Sequence, residues 1–514
     1  MGEVTGFRVV RDTYLDSLKL LATTSAMRER DDVAWAAAVM ATPVGRERLA
    51  EADFPVEQLD GAGANDLVLA VRGGSQDVVD AALEAGVQAA FSGGDADADR
   101  SGAQPPPRSI AQAVERLPAA NVAVVSVPGP YAALEAHHAL TAGLHVLLFS
   151  DNVPLAEEVE LKERAAQLGL LVMGPGAGTA VLGGTGLGFA NVVRRGPVGV
   201  VAAAGTGAQE VSALLDRWGV GVSNVIGVGG RDLSADVGGT MAIAAARALA
   251  ADPDTEAILL VSKPADEAVA GEVLKACGST PAVAAFLGLD AAGGEGPGGV
   301  RLARTLEEGA LAAAALVGTE VRVDSDRTRE EVARAIARLP AQRRTVRGYY
   351  SGGTLCYEAQ LLLGELAGDV YSNEPLVADH RLPAPAGAHV LLDLGAEEYT
   401  AGRPHPMIDP GARLELLERE ARDDDVAVVL LDVVLGHGAH PDPAGQLAPV
   451  CEAIMADGGP QVVAYVLGTE EDPQGFAAQR ERLRRAGCIV TETGARAACA
   501  AAAIATRRPE LVDR

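Results

Sequence analysis

Two stretches of this chain follow the same plan, and that repetition limits the folds open to it. GPVGVVAAAGTGAQEVSALLDRWG, from Gly196, and RGYYSGGTLCYEAQLLLGELAG, from Arg347, each read as an apolar strand, a turn of small residues and a helix. Strands that are apolar throughout, such as VAVVLLDVVLG, belong to parallel sheets buried on both faces. The alternation of strand and helix runs back to the N-terminus. FRVVRD, AWAAAVMAT, DLVLAVRG and DVVDAALEAG lie in residues 1–90, and VAVVSVPG, YAALEAHHALTAG, HVLLFS and LLVMGPG in residues 110–190.

The expectation is an α/β chain of three doubly wound parallel-sheet units. A Rossmann-like N-terminal part comes first, and two flavodoxin-like domains follow. The boundaries read as an α/β region at 1–90, a linker rich in Gly, Asp and Pro at 91–109, then 110–190, 191–320 and 345–505. An Arg-rich connector runs from about Gly318 to Arg347. A length of 514 residues suits about three domains. Apolar residues make up 48% and aromatics only 3%, so the cores must be built from Ala, Val, Leu and Ile.

Charge narrows the function classes. The formal net charge of −27 argues against a nucleic-acid surface, which needs a basic stripe, and against adsorption to anionic lipid. A small anionic substrate remains open if a local site offsets that field. No run reaches the roughly 18 apolar residues of a membrane span, and MGEVTGFRVVRD lacks the apolar stretch of a signal peptide. Five cysteines without a CxxC pair read as reduced thiols, and the expected location is the cytoplasm.

The repeated turns carry the chemistry. Gly205, Thr206 and Gly207 open one helix, and Ser351, Gly352, Gly353 and Thr354 open the other. Small residues let a ligand approach the backbone, while first-turn N–H groups and the helix dipole favour an anion. Neither turn is a P-loop, since no Gly-Lys-Ser/Thr follows, and neither fits a GxGxxG dinucleotide fingerprint. The reading is a pair of anion-binding turns, with ordinary tight turns of α/β domains as the alternative.

GPVGVVAAAGTGAQE resembles the phosphate-binding turn of succinyl-CoA synthetase α subunits, and SGGTLCYEA resembles the corresponding turn of their β subunits. Together with VSVPGPYA, LLVMGPGAGTA, IGVGGRDLS, YTAGRPHPMIDP, LLDVVLG and GTEEDPQ, these segments are similar to the FdrA family, in which α-like and β-like parts are fused. The resemblance covers nearly the whole chain outside residues 91–109. It implies succinyl-CoA synthetase-type folds for the last two domains, with a phosphate gripped between two helix N-termini. It also implies a choice of reaction. One is carbamoyl transfer, oxalurate plus phosphate giving oxamate and carbamoyl phosphate in purine (allantoin) nitrogen catabolism, with companion carbamoyltransferase subunits. Another is nucleotide-dependent acyl-CoA synthesis. The third is a noncatalytic scaffold for a phosphorylated ligand, with a homo-oligomer among its assemblies. The chain departs from the synthetases in having no histidine between His145 and His380, where their phosphorylated histidine would fall. No segment of adequate length suggests an ATP-grasp domain, and no convincing CoA loop is found. No cofactor is assigned; phosphate or carbamoyl phosphate is expected as substrate, and motifs support neither ATP nor CoA.

Other polar residues join the expectation. Arg403 and His405 sit in the proline-stiffened turn Arg403-Pro404-His405-Pro406, where Arg403 would hold an anion and His405 would donate a proton near neutral pH. His437 and His440 follow the strand 426–436, and strand carboxyl ends carry ligands in such sheets. His440 is taken as catalytic and His437 as a substrate contact. Arg231 and Lys263 follow other strand ends and are candidate substrate contacts, a structural pair being the alternative for Arg231. No metal site is expected, and RERLRR at 480–485 reads as a solvated helix face.

Overall fold

The computed structural model describes residues 4–513 except 14, 16, 29, 31, 60, 92–105, 290–295, 297, 298, 401–403, 421 and 422. The greater part of the expected 91–109 linker lies outside the described residues. The chain divides into two compact units, one of residues 1–106 with 397–404 and the other of 107–396 with 405–514.

In the first unit the elements are β1 (Val4–Val10), α1 (Ser17–Arg28), β2 (Val33–Met40), α2 (Pro43–Glu51), β3 (Leu67–Gly73) and α3 (Gln76–Phe91). Its sheet has the order β1-β3-β2, and both pairings are antiparallel. This corrects the expectation of a parallel sheet at the N-terminus. The central strand LVLAV is apolar because both faces are covered, whatever the direction of its neighbours. Leu67, Leu69 and Val71 pack with Met27, Val79 and Leu83 on one side. Val68 and Ala70 pack with Leu49, Phe54 and Leu59 on the other.

The second unit begins with α4 (Ile110–Arg116), β4 (Val122–Val125), α5 (Gly129–Thr141), β5 (His145–Leu148), α6 (Leu155–Leu168) and β6 (Val172–Met173). These give a small parallel sheet in the order β4-β5-β6. A hairpin, β7 (Thr179–Leu182) and β8 (Thr185–Gly188), leads into β9 (Arg195–Ala202), α7 (Gly205–Arg217) and β10 (Val222–Gly227). Then come α8 (Thr240–Ala251), β11 (Ala257–Ser262), α9 (Glu267–Ala276), β12 (Ala282–Phe286), β13 (Arg301–Leu302) and α10 (Leu306–Leu316). The connector holds α11 (Asp326–Arg338).

The second copy runs through β14 (Thr345–Tyr350), α12 (Gly353–Ala367), β15 (Val370–Tyr371) and β16 (His389–Asp393). A short helix of the first unit, α13 (Glu397–Thr400), interrupts it. It resumes with α14 (Gly411–Glu420), β17 (Val426–Val434), α15 (Pro443–Met455) and β18 (Gln461–Leu467), and ends with α16 (Phe476–Arg485), β19 (Ile489–Thr491) and α17 (Gly494–Thr506).

Five parallel strands repeat the same order in the two copies, and the edges of the sheets differ. The parallel strands of the first copy lie in the order β13-β12-β11-β9-β10, extended by the antiparallel hairpin β7-β8, and those of the second in the order β19-β18-β17-β14-β16-β15. With the edge strand β15 set aside, both orders are the flavodoxin-like 2-1-3-4-5. The chain is thus α/β with several parallel sheets. In each copy the first strand feeds the helix at the switch point, α7 or α12.

The helices α7 and α10 of one copy and α12 and α17 of the other share a single apolar core. Leu214, Ala310, Leu355 and Ala501 are all buried in it. The run Ala497 to Ala505 of α17 is buried at every position, and only small side chains allow a helix to be packed all round in this way. The two copies also exchange carboxylates. Glu210 on α7 accepts from the Tyr465 hydroxyl at 2.5 Å and from the Gly494 N–H, at the start of α17, at 3.4 Å. Glu358 on α12 accepts from the Leu306 N–H, at the start of α10, at 2.6 Å. Each glutamate thereby caps a helix of the opposite copy. Burial pushes the Glu210 carboxyl up to about 7 and the Glu358 carboxyl up to about 8.

The folded chain therefore keeps these two protons to higher pH than the unfolded chain does. Their contribution to stability is complete below the ordinary glutamate range and is lost as pH rises through about 7 to 8. The melting temperature is expected to fall between about pH 5 and pH 8. The double variant Glu210→Gln/Glu358→Gln should flatten that slope in thermal scans across the range; an unchanged slope would contradict the account.

Candidate functional site

The starts of α7 and α12 meet. The Thr354 N–H donates to Thr206 Oγ1 at 3.2 Å. Glycine is required on both sides of this contact. A Cβ on Gly352 would lie 2.9 Å from the Thr206 methyl, and one on Gly207 would lie 3.1 Å from the Thr354 methyl. A side chain on Gly353 would collide with the Asp393 carboxylate and come within 3.3 Å of Lys263 Nζ. The structure thus brings Thr206, Gly207, Gly352, Gly353, Thr354 and Lys263 together.

It also shows how the two sides differ. On the α12 side the Ser351, Gly352 and Thr354 donors have protein acceptors, while among the described residues none is recorded for the Gly353 N–H. Asp432 Oδ1 accepts from the Ser351 N–H at 2.8 Å and from its hydroxyl at 3.0 Å, and Oδ2 accepts from the Gly352 N–H at 2.7 Å. Asp432 is itself paired with Arg413 at 2.8 Å, both being fully buried. Ser351 and Gly352 are therefore corrected from anion donors to a clasped turn. The acid that breaks the apolar run of β17 satisfies them from the neighbouring strand.

The α7 side is open. Ala204 gives α7 no side-chain cap, and Gly205 is exposed with no atom within 4 Å of where its Cβ would stand. Among the described residues no acceptor is recorded for the N–H groups of Gly205, Thr206 and Gly207. These groups and the Lys263 ammonium are the anion-binding elements of the junction.

Two further groups border it. Asp393, at the end of β16, accepts from the Gly395 N–H at 3.0 Å. Burial pushes its carboxyl up, against the pull of Lys263. His405 Nε2 stands 2.8 Å, the Ser351 carbonyl 3.0 Å and Asp393 Oδ1 3.2 Å from where a Cβ on Gly395 would lie. His405 Nδ1 accepts from the Met407 N–H at 3.3 Å, which leaves the ring proton on Nε2, the side of Gly395. Burial drives His405 down to about 4, so it is a neutral imidazole at physiological pH. This corrects its role as a charged proton donor: it offers an N–H, not an ionisable acid. Arg403, expected beside it, lies outside the described residues.

The other candidates fall elsewhere. The His440 N–H donates to the Met407 carbonyl at 2.7 Å, and His440 Nδ1 accepts from the Asp442 N–H at 3.0 Å, which ties the 436–440 loop to the His405 turn. Phe189 bridges them, with its ring centroid 5.9 Å from that of His405 and its edge against Gly438. The side chain of His437 is exposed. Arg231 is placed in an ion network, pairing with Glu158 at 2.8 Å and donating to the Val153 carbonyl. The fully buried Lys162 joins Glu158 to Asp232, which caps α8 through the Ala242 N–H. That network is the structural pair weighed for Arg231.

Sequence reasoning missed Asp393, Asp432 and Arg413. The signal for Asp432 was present, since a charge inside a nine-residue apolar strand needs a partner. Arg413 carried no such mark in an acidic, solvent-like helix sequence.

The fold and this junction define a chain built on an acyl-CoA ligase-like scaffold, and comparison with known proteins agrees. Residues 349–504 match the CoA-ligase family, and residues 4–106 match the family described as AllF, heavy metal-associated domain. The chain is 39% identical to the uncharacterized protein YahF of Escherichia coli over 497 residues, 94% of this chain and 95% of that one. It is 31% identical over 245 residues to subunit alpha 2 of the ADP-forming succinate–CoA ligase of Archaeoglobus fulgidus, covering 45% of this chain and 80% of that subunit. It is also 30% identical over 190 residues to the sulfoacetate-CoA ligase subunit SauD of Bilophila wadsworthia, of which it covers 63%. The chain belongs to the succinyl-CoA synthetase-like family that includes YahF. The heavy-metal description of the N-terminal match does not fit its residues. No cysteine occurs before Cys277 and no histidine before His137, so the thiolate and imidazole donors of soft metals are missing from that unit. Among the described residues no helix is long and apolar enough to cross a membrane.

Two outcomes test this geometry. Asp432→Ala leaves Arg413 charged, buried and unpaired, and should cost about 3–5 kcal/mol in denaturant unfolding; a loss under about 1 kcal/mol would refute the clasp. The His405 ring, followed by NMR, should remain neutral down to about pH 5 and titrate near 4.

Proposed function

We propose that this chain is the FdrA-type subunit of a carbamoyltransferase, with inorganic phosphate bound at the open N-terminus of α7. The observation that carries this reading is the asymmetry of the junction: Asp432 takes the Ser351 and Gly352 donors ahead of α12, while among the described residues the first three N–H groups of α7 have no recorded acceptor and Lys263 stands across the junction by Gly353. A phosphorylated histidine has no candidate residue between His145 and His380, so a direct attack by phosphate suits the chain better than a covalent relay. A phosphate oxygen would attack the carbamoyl carbon of oxalurate. The C–N bond then breaks, and oxamate leaves as its nitrogen takes a proton. Backbone N–H groups and Lys263 would hold the phosphate, and the His405 Nε2–H would offer a neutral hydrogen bond to the developing oxyanion. Positioning supplies much of the remaining rate. Companion subunits would contribute the rest of the oxalurate site.

Acyl-CoA ligation is the second reading, favoured by the CoA-ligase match over residues 349–504 and by the succinate–CoA ligase relative. It requires nucleotide and CoA from this chain or a partner.

Gly205→Asp separates the readings. Its side chain meets open space, so folding should be retained. Its carboxylate occupies the start of α7, where a phosphate would bind. Calorimetry should show phosphate and carbamoyl phosphate binding to the parent chain, and at least about tenfold weaker binding to the variant. Equal binding by both proteins would sink the proposal. Formation of acyl-CoA with ATP and CoA would return the chain to the ligases.

A further inference from the structure

The connector between the two copies and helix α16 are the most basic stretches in this acidic chain, and they converge. Arg322 and Arg327 of the connector, Arg484 of α16 and Arg217 at the end of α7 line one cleft of about 600 Å³, with Trp218 and Phe476 in its wall. The solvated face expected of RERLRR is formed by Glu481, Arg482 and Arg485, but Arg480 and Arg484 turn inward. The side chain of Arg480 is 11% exposed and that of Arg484 is 24% exposed. Two arginines of α16 approach one carboxylate, Glu492, which accepts from Arg480 and lies 3.9 Å from Arg484.

That carboxylate does not satisfy them. Arg217 Nη1, Arg480 Nε and Arg484 Nε are buried with no hydrogen-bond partner. An unsatisfied buried donor is costly. The repulsion of Arg480 and Arg327 adds to burial in holding the Arg484 guanidinium below its ordinary range. Of the other acids lining the cleft, Asp216 is engaged by Arg194 at 2.9 Å, while Asp324 and Glu470 receive backbone N–H groups. Five guanidinium groups and four carboxylates thus line the cleft, with Arg327 also paired to Glu331 at 2.9 Å, on a chain of net charge −27. Arg322 is exposed and has no recorded ion pair. The cleft lies at the C-terminal end of α7, a helix of thirteen residues and so about 20 Å from the anion site at its other end.

We propose that this cleft is a second anion site, for a small ligand carrying two or more phosphoryl groups. Guanidinium forks match phosphate oxygens bidentately and would gain the acceptors that the protein withholds. Trp218 supplies an apolar wall for a ring attached to such a group, while the Phe476 ring lies under the guanidinium groups of Arg217 and Arg480. The inference is independent of the reaction proposed above, because none of these residues belongs to the α7–α12 junction.

The test is calorimetric titration of the full chain with inorganic pyrophosphate, and separately with ADP, at low salt. Pyrophosphate should bind both the parent and Gly205→Asp, in which the junction site is blocked. The double variant Arg322→Glu/Arg327→Glu alters exposed side chains only. It should keep the parent melting temperature and weaken binding at least about tenfold. ADP binding more tightly than pyrophosphate would assign the aromatic wall to a ring; equal affinity would assign the site to the phosphoryl groups alone. Absence of binding, or binding lost in Gly205→Asp yet intact in the double variant, overturns the proposal.

Discussion

The exchange of buried carboxylates between the two copies is the constraint on which the second unit rests. Glu210 and Glu358 occupy the same position, the sixth residue of α7 and of α12. Each reaches out of its own copy to cap a helix of the other. Two acids can be brought so deep only if hydrogen bonds satisfy them and their charge is given up, and burial drives both toward the protonated form. The alanine-rich faces of α10 and α17 let four helices close around these groups. Because α7 and α12 are fixed at their middles, their N-termini are held against each other, and the contact between Thr354 and Thr206 follows.

The same pseudo-symmetry makes the departures from it informative. Both copies have a small-residue turn at the switch point of a flavodoxin-like sheet. In the second copy a strand acid, Asp432, takes up the turn's donors. In the first copy β11 ends at Ser262, followed by Lys263, with no acid at the corresponding place. One turn is therefore internally neutralised and the other is left electropositive. A symmetric pair of cradles becomes a single asymmetric site with a cation on its rim.

Arginine placement follows a similar logic on a wider scale. The chain carries 43 Lys and Arg against 70 Asp and Glu, so basic groups are scarce, and several are gathered in two places. Arg413 is buried to compensate Asp432. The connector and α16 concentrate theirs around Glu492 at the far end of α7. Local surplus of positive charge within a strongly negative field is what a small anion needs in order to be captured.

The sequence alone determined the β/α rhythm, the paired turns and the repetition of one plan, because apolar runs and small-residue turns are local signals. It also carried the resemblance that placed the chain near the succinyl-CoA synthetases. Strand direction in the first unit was not legible: LVLAV is apolar in a parallel or an antiparallel sheet, provided both faces are covered. Nor could the sequence tell which turn donors are free. Ser351 and Gly352 read as donors open to an anion, and only the arrival of Asp432 from a strand eighty residues away shows that they are taken. His405 shows the same limit, since its charge is set by burial against Phe189 and the 436–440 loop. Residue identity and spacing follow from the chain, but dielectric environment and long-range hydrogen bonding exist only once the sheets have packed.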